Sequence, residues 1–349
     1  MICSSGQEGR DEVSAREITI VGVKLLAFGF SLFLLWQASG AIVIILVGVV
    51  MGLALSAAAD AIARFAPLSR EASLAVLIGL ILVAVGLGIW SGGTALISQL
   101  QSYLQAVQTV GRQLQEFLAR GAGGLFPEGS INFDEAMPRF ATVFGSAARL
   151  FAALSEIAVN VVIIAFLAVF FAWQPSVYRS GVLALVPQDK RSTIGQAVDR
   201  SAMAIRNWLA GQTISMVVVF FSTLISLLLV GMPYAVLLAF ISGVLTFVPT
   251  LGPFLSGVAI VIAGLSVSVE LGLYGLGVYI LIQFLETYLV TPLVQNEAVH
   301  LPPAATLGAQ LVGGAIFGTL GFAFAVPLAA ALRALVLELY VDRITQPKV

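Results

Sequence analysis

Residues 247–254 read Phe-Val-Pro-Thr-Leu-Gly-Pro-Phe, and residues 317–322 read Phe-Gly-Thr-Leu-Gly-Phe. Each lies at the centre of an apolar block, 234–269 and 304–337, too long for one membrane helix. Both set Thr-Leu-Gly between apolar arms of about 14–17 residues, which as helices span about 21–26 Å, short of a ~30 Å hydrocarbon core. Pro249 and Pro253 remove backbone donors and break the first helix. Gly252, Gly318 and Gly321 permit a tight reversal there and at Thr319. Broken backbone inside a bilayer survives only where protein buries it or it lines a wet cavity. The blocks therefore read as two re-entrant helical hairpins. Two full crossings per block, joined by tight turns, are the alternative, because both return the chain to the side it came from.

Working outward, each block follows an ordinary apolar helix, 212–230 and 273–293, so the chain from 212 onward is two helix-plus-hairpin units. Interruptions at matching places in two halves mark a transport site. Further spanning candidates are 18–37, 41–59, 73–97 and 157–173. The fold class is an all-α integral membrane protein of about six spanning helices plus two re-entrant hairpins, or about 8–10 crossings on the alternative. Four regions follow: 1–97, a polar tail and three helices; 98–156, extracytoplasmic; 157–211, a fourth helix and a cytoplasmic segment; and 212–349, the transport core.

Composition agrees. Of 349 residues 59% are hydrophobic and 10% are charged, with mean hydropathy +1.03. A soluble domain carries about 25% charge. The 17 Lys+Arg and 18 Asp+Glu nearly cancel, which leaves no basic field for nucleic acid. One Cys (Cys3) and one His (His300) exclude an internal disulfide framework, a Cys-based zinc site and a multi-His metal site.

Arg and Lys near helix ends set the orientation. Arg10, Arg16 and Lys24 place the N-terminus inside, as do Arg64 and Arg70 for the 60–72 loop. Segment 174–211, with Arg179, Lys190, Arg191, Arg200 and Arg206, is inside too, and Arg333, Arg343 and Lys348 place the C-terminus there. The first hairpin then opens outward and the second inward, as inverted repeats. The leader 1–17 is net acidic, so 18–37 reads as an uncleaved helix rather than a secretory signal, although Ala38-Ser39-Gly40 has the look of a cleavage site.

Two stretches are amphipathic. Leu96, Leu100, Tyr103, Val107, Val110, Leu114 and Phe117 recur at spacings of four and three, the a/d stripe of a coiled coil. The stripe packs either on its own chain or between subunits. After a break at 121–130, Phe140, Val143, Phe144, Ala147, Leu150 and Phe151 form another apolar face. In the inside segment Ile194, Val198, Ala202, Ile205 and Leu209 share a face, with a basic opposite face at the headgroups.

Gly231-Met232-Pro233, then 247–253, Glu286 with Pro292 six residues on, Leu301-Pro302-Pro303, Phe317-Gly318 and Ala325-Val326-Pro327 together resemble the autoinducer-2 exporter family of polytopic bacterial inner-membrane proteins. The likeness covers nearly the whole chain in layout, and its specific motifs lie between 231 and 327. The resemblance implies export of small molecules, with autoinducer-2 as namesake. It also implies sodium or lithium/proton antiport in some members, a homo-oligomer, and a multi-pass inner-membrane location.

Glu286 is the most informative side chain. It lies mid-way along 273–293 beside Gln283 and Thr287. A carboxylate at the bilayer centre normally faces a cavity or a partner. No Lys or Arg is near it in sequence, so protonation neutralises it most cheaply. It is either a proton or cation site or a structural carboxyl bonded to hairpin backbone. Glu297, after Gln295-Asn296, is placed to line an inner vestibule; Glu270 sits at an interface. Gly48-x-x-x-Gly52 and Gly314-x-x-x-Gly318 permit close helix packing.

Enzyme motifs are missing: there is no Walker sequence, no H-E-x-x-H and no His–Cys pairing, and an intramembrane carboxylate pair would need two deep acids. The chain is expected to need no cofactor. Three functions follow: a secondary exporter of small molecules driven by an ion gradient; a monovalent-cation/proton antiporter; or a non-transporting scaffold that binds partners through 98–156.

Overall fold

The computed structural model describes residues 20–121 (Leu32 and Leu35 apart), 147–290 and 301–341. The polar leader, Phe140, Val143, Phe144, Glu297 and His300 lie outside the described residues. Every described element is helical. In chain order they are α1 (Ile20–Ser31), α2 (Ser39–Phe65), α3 (Arg70–Gly121), α4 (Ala147–Trp173), α5 (Pro175–Ala184), α6 (Arg191–Leu229), α7 (Ala235–Leu245), α8 (Leu251–Leu265), α9 (Val269–Leu285) and α10 (Pro303–Val336). Helix α9 runs on as a π-helical turn, Glu286–Val290, and α10 as another, Leu337–Val341.

Helices α2, α3, α6, α9 and α10 each contain a stretch long and apolar enough to cross a membrane. Helix α4 joins α5 across an 83° bend at Gln174, where Pro175 opens the new helix. The outer surface is apolar: Leu26, Leu82, Trp90, Phe166 and Leu229 are each more than 60% exposed. In lipid such a surface costs nothing, whereas in water it would aggregate. The chain is an all-α polytopic membrane protein.

Three region boundaries read from hydrophobicity, at 97/98, 156/157 and 211/212, fall inside unbroken helices. The side-chain character changes there, but nothing stops the backbone ladder: no Pro or positive φ interrupts these helices.

One end of the bundle is tied by charge. The Arg70 guanidinium donates to Asp60 Oδ1 (3.0 Å), Ser56 Oγ (2.9 Å) and the last carbonyls of α4, Ala172 (2.8 Å) and Trp173 (3.3 Å). Arg206 reaches the other Asp60 oxygen (3.5 Å) and Ser56 (3.0 Å). Helices α2, α3, α4 and α6 therefore converge at this basic end. Nearby, Arg179 of α5 grips Asp199 of α6 with two 2.7 Å bonds, and those hydrogen bonds hold the Asp199 carboxyl below the usual carboxylate range. Gly48 and Gly52 face α4 so closely that an added Cβ would lie 2.6 Å from Leu167 Cβ and 2.7 Å from Phe171 Cβ, which is the close packing expected of that pair.

Both interrupted blocks are hairpins. Helices α7 and α8, of 11 and 15 residues, reach only about 16 and 22 Å. Helix α10 folds at Gly318 (φ 67°, ψ −152°), giving arms 303–317 and 319–336 of about 22 and 27 Å. The arms lie back to back, since a Cβ on Gly321 would meet the Gly313 carbonyl oxygen at 2.2 Å. Both arms of the first hairpin and the first arm of the second fall short of a ~30 Å core, which favours re-entry; only the last arm, lengthened by the turn Leu337–Val341, reaches that span.

The glycines divide the work differently from the sequence reading. The first reversal falls on Thr250 (φ 74°), not on Gly252. Gly252 serves close approach: a Cβ there would sit 1.7 Å from the Leu245 carbonyl oxygen. Gly321 does the same in the second hairpin, and the left-handed turn is left to Gly318. Pro253 does not break a helix but lies in the first turn of α8, where its missing N–H is harmless.

The 96–117 stripe splits. Leu96, Tyr103 and Val107 pack on the first hairpin of the same chain. The Tyr103 hydroxyl donates to the Ala259 carbonyl (3.1 Å), and its ring meets Tyr234 edge-on at 5.9 Å. Leu100 and Leu114 stay exposed, and the side chain of Phe117 is outside the described residues. On α6, Ile205 and Leu209 are buried and Ile194, Val198 and Ala202 half-buried, so that face packs as the periodicity requires.

The two reversals should respond unequally to a methyl group. Gly318→Ala meets open space and pays only for its backbone angle, about 1–3 kcal/mol. Gly252→Ala must displace backbone. Size-exclusion profiles and unfolding temperatures in detergent should show the Gly318 variant folded but less stable, and the Gly252 variant largely misfolded; equal behaviour would contradict this division.

Candidate functional site

The site forms where the first hairpin's tip faces the end of α9. Spacing of three and four puts Gln283, Glu286 and Thr287 on one face. The Gln283 side-chain amide donates to Thr287 Oγ1 (3.4 Å). Glu286 starts the π-helical turn, a widening that helices often adopt at functional positions.

Opposite stands the broken backbone of 246–250. The Leu251 N–H bonds back to the Pro249 carbonyl (2.9 Å), and Thr250 between them has φ 74° and ψ −59°. That is the rare, strained form of a three-residue γ-turn. Two buried glutamines hold the tip. The Gln212 amide of α6 donates to the Thr246 carbonyl. The Gln310 amide of α10, fully buried, donates to the Pro249 carbonyl at 3.1 Å. Phe247 wedges between Trp208 (5.7 Å) and Phe324 (5.0 Å).

Gln283, Glu286 and Thr287, together with Pro249, Thr250 and Pro253, line one cavity of about 400 Å³. Gln212, Ser215, Thr246 and Tyr279 complete the wall. Its lining mixes one carboxylate, amides and hydroxyls with proline and aromatic carbon. That combination suits a small polar ligand.

The second hairpin does not meet the first tip to tip. The first tip docks on the arms of α10, at Gln310 and Phe324, several residues from the fold at Gly318. Gly318, Thr319 and Gly321 do not line the cavity. Glu270 is exposed and accepts from the Tyr274 hydroxyl (3.1 Å), away from the cavity. Among the described residues no group of His, Cys, Asp and Glu is placed to hold a metal ion. Sequence reasoning missed Gln212 and Gln310; their signal was an amide inside an apolar helix, 34 and 61 residues from its partner.

With this geometry in hand, comparison with known proteins places the chain. The model of the AI-2E family of transporters matches residues 25–340. The chain belongs to the AI-2E transporter family. It is 22% identical over 274 residues to the "Putative transport protein YueF" of Bacillus subtilis (strain 168), covering 75% of this chain and 73% of that protein. It is 30% identical over 114 residues to "Putative transport protein YrrI" of the same strain, covering 33% of this chain and 32% of that protein. It is 27% identical over 191 residues to "Putative permease PerM" of Escherichia coli (strain K12), covering 52% of each. The chain thus spans about a third and a half of the lengths of YrrI and PerM. It is a membrane protein of a transporter family.

The tip carbonyls make a direct test. Gln212→Leu keeps volume but withdraws the donor to Thr246, and should lower stability by about 1–3 kcal/mol. Thermal unfolding in detergent measures it, and an unchanged midpoint would remove Gln212 from the account.

Proposed function

We propose that this AI-2E family member is a secondary transporter that exports small molecules and couples their passage to an ion gradient through Glu286. The observation that carries the reading is a carboxylate, Glu286, on the wall of a polar cavity that the interrupted backbone of 246–250 also lines. Half-broken helices beside an intramembrane acid are the usual ingredients of a coupled transport site.

A gradient does work only if the ion binds the alternating states with different affinity. Glu286 supplies that difference. Ionised, it prefers a wet cavity; neutralised by a proton or cation, it tolerates closure of the tip against α9. The strained γ-turn at Thr250 and the donors Gln212 and Gln310 give the tip a defined resting position. In this reading the basic end of the bundle, with Arg64, Arg70 and Arg206, is cytoplasmic by the positive-inside rule, and the membrane is the bacterial inner membrane. Autoinducer-2, the family's namesake, is the first cargo to assay.

Flux against pH in proteoliposomes tests the reading. Glu286→Gln keeps shape and removes the charge; it should insert normally, lose at least tenfold in gradient-driven flux and lose pH dependence. Glu286→Asp should keep the ion response with a displaced pH profile. A Gln variant with wild-type rate and pH profile would leave Glu286 a structural residue and end the proposal.

A further inference from the structure

Behind the large cavity lies a second chamber of only about 20 Å³. Thr246, Pro253, Tyr279, Gln283 and Glu286 line both, so these residues form the wall between them. The residues on either side of that wall sort by height. Gln212, Ser215, Pro249, Thr250 and Thr287 line only the large cavity and lie at the level of the first hairpin's tip. Val219, Thr223, Ser242, Ser256 and Ile260 line only the small chamber and lie toward the hairpin's base. On α6, which runs away from the basic end, Thr223 comes eleven residues after Gln212, a rise of about 16 Å. The chamber is therefore a continuation of the cavity, and it leads away from the arginine knot.

A void of that size holds one water and passes nothing larger. Its walls are nevertheless not those of a packing defect, which would be apolar. Thr223, Ser242, Thr246 and Ser256 are 1–5% exposed, and Thr223 Oγ1 and Ser242 Oγ have no hydrogen-bond partner. Buried hydroxyls are nearly always paired, so these two mark an interaction that is not protein to protein. Toward the base the way is shut: Val219, Leu227, Met232, Leu238, Ile260 and Ala263 pack into one apolar cluster. Hydroxyls that lead out of a polar cavity and end beneath an apolar plug have the make-up of a closed passage. Tyr279 is the bulkiest member of the dividing wall, and spacings of four and seven put it on the face of α9 that carries Gln283 and Glu286. Its ring rests on the bare backbone of Gly257, where an added Cβ would lie 2.7–2.8 Å from three ring atoms. With α8 directly behind it, the ring is free to move only toward the two voids.

We propose that the small chamber is the closed outward half of the transport path, and that Tyr279, seated on Gly257, is the gate between the two halves and sets the largest cargo that passes. The proposal rests on the transport reading for the cargo but not for the gate. The structure is then open on the tip side and shut on the base side. When the ring swings aside, cargo or the water that travels with it reaches the Thr223 and Ser242 hydroxyls, which supply the hydrogen bonds the closed state leaves unmade.

The test uses the purified full chain in detergent, in a Cys3→Ser background, with 2-aminoethyl methanethiosulfonate as the water-borne thiol probe. With Tyr279 in place, Thr223→Cys should react at least tenfold more slowly than Thr250→Cys. Adding Tyr279→Ala should raise the Thr223→Cys rate at least tenfold and leave the Thr250→Cys rate unchanged, whereas Tyr279→Phe should keep both rates, because the ring's bulk and not its hydroxyl closes the wall. Equal rates at the two positions with Tyr279 present overturn the gate, and so does a Thr223→Cys rate that Tyr279→Ala leaves unmoved in a folded variant. Should the Ala variant fold poorly, the comparison of the two positions with Tyr279 present and the Phe variant decide. In proteoliposomes, complete modification of Thr223→Cys should stop autoinducer-2 flux that the unmodified variant supports; flux that continues would place the chamber off the path and overturn the proposal while leaving the transport reading standing. No flux in wild type, with the labelling pattern as expected, would do the reverse: the transport reading falls for that cargo and the gate stands.

Discussion

The carbonyls of Thr246 and Pro249 must find donors inside the bundle, and Gln212 and Gln310 provide them. A helix needs no such help, because its ladder satisfies every interior group. The chain gives up that ladder at 246–250 and at Gly318, each time after an arm too short to have crossed a bilayer. An unpaired backbone group in hydrocarbon costs several kcal/mol. The first reversal is therefore possible only where α6 and α10 present amides to it. That requirement explains why two glutamines are buried in apolar helices. It also explains why the first tip rests on the arms of the second hairpin, where Phe247 is clasped by Trp208 and Phe324.

From that constraint the site follows. A hairpin that ends in mid-bundle leaves space beyond its tip, and α9 closes the space with Gln283, Glu286 and Thr287. The charged knot of Arg70, Arg206, Asp60 and Ser56 fixes the other helices at the basic end, and the hairpin's tip packs beside it through Phe247 on Trp208. At the opposite end the extension of α3 braces the first hairpin: Tyr103 bonds the Ala259 carbonyl and Gln99 accepts from the Leu237 N–H (3.4 Å). The tip is thus the part of the molecule with polar cavity on one side and adaptable amides on the other. It is the natural place for a conformational step.

Much of this was legible in the sequence because its signals are local. Proline, glycine and threonine at 249–253 and 318–321 announce a broken helix without reference to the rest of the chain, and an acid within an apolar run stands out wherever it folds. Glu286, Gln283, Thr287, Pro249, Thr250 and Pro253 line one cavity. What could not be read was long-range or steric. Nothing local says that the first tip docks at Gln310 rather than at Gly318. Nothing in a 3-4 stripe says that Leu96, Tyr103 and Val107 pack on their own hairpin while Leu100 and Leu114 face outward. The role of Gly252 depends on the Leu245 carbonyl lying where a methyl group would be, which only packing reveals. Helices α3 and α6 run through the points where polarity changes, because hydropathy reports the solvent around a helix and not the continuity of its backbone.

The central claim is that both reversals lie within the hydrocarbon. Depth-dependent paramagnetic quenching tests it most directly, with single nitroxide labels at Thr250 and Thr319 in a Cys3→Ser background, reconstituted in bilayers and read against oxygen and a water-soluble nickel chelate. The account predicts that both labels report positions well below the headgroups, with the Thr250 label also reached by the polar quencher through its cavity. Labels at headgroup depth at both positions would mean four full crossings instead of two re-entrant hairpins, and would contradict it.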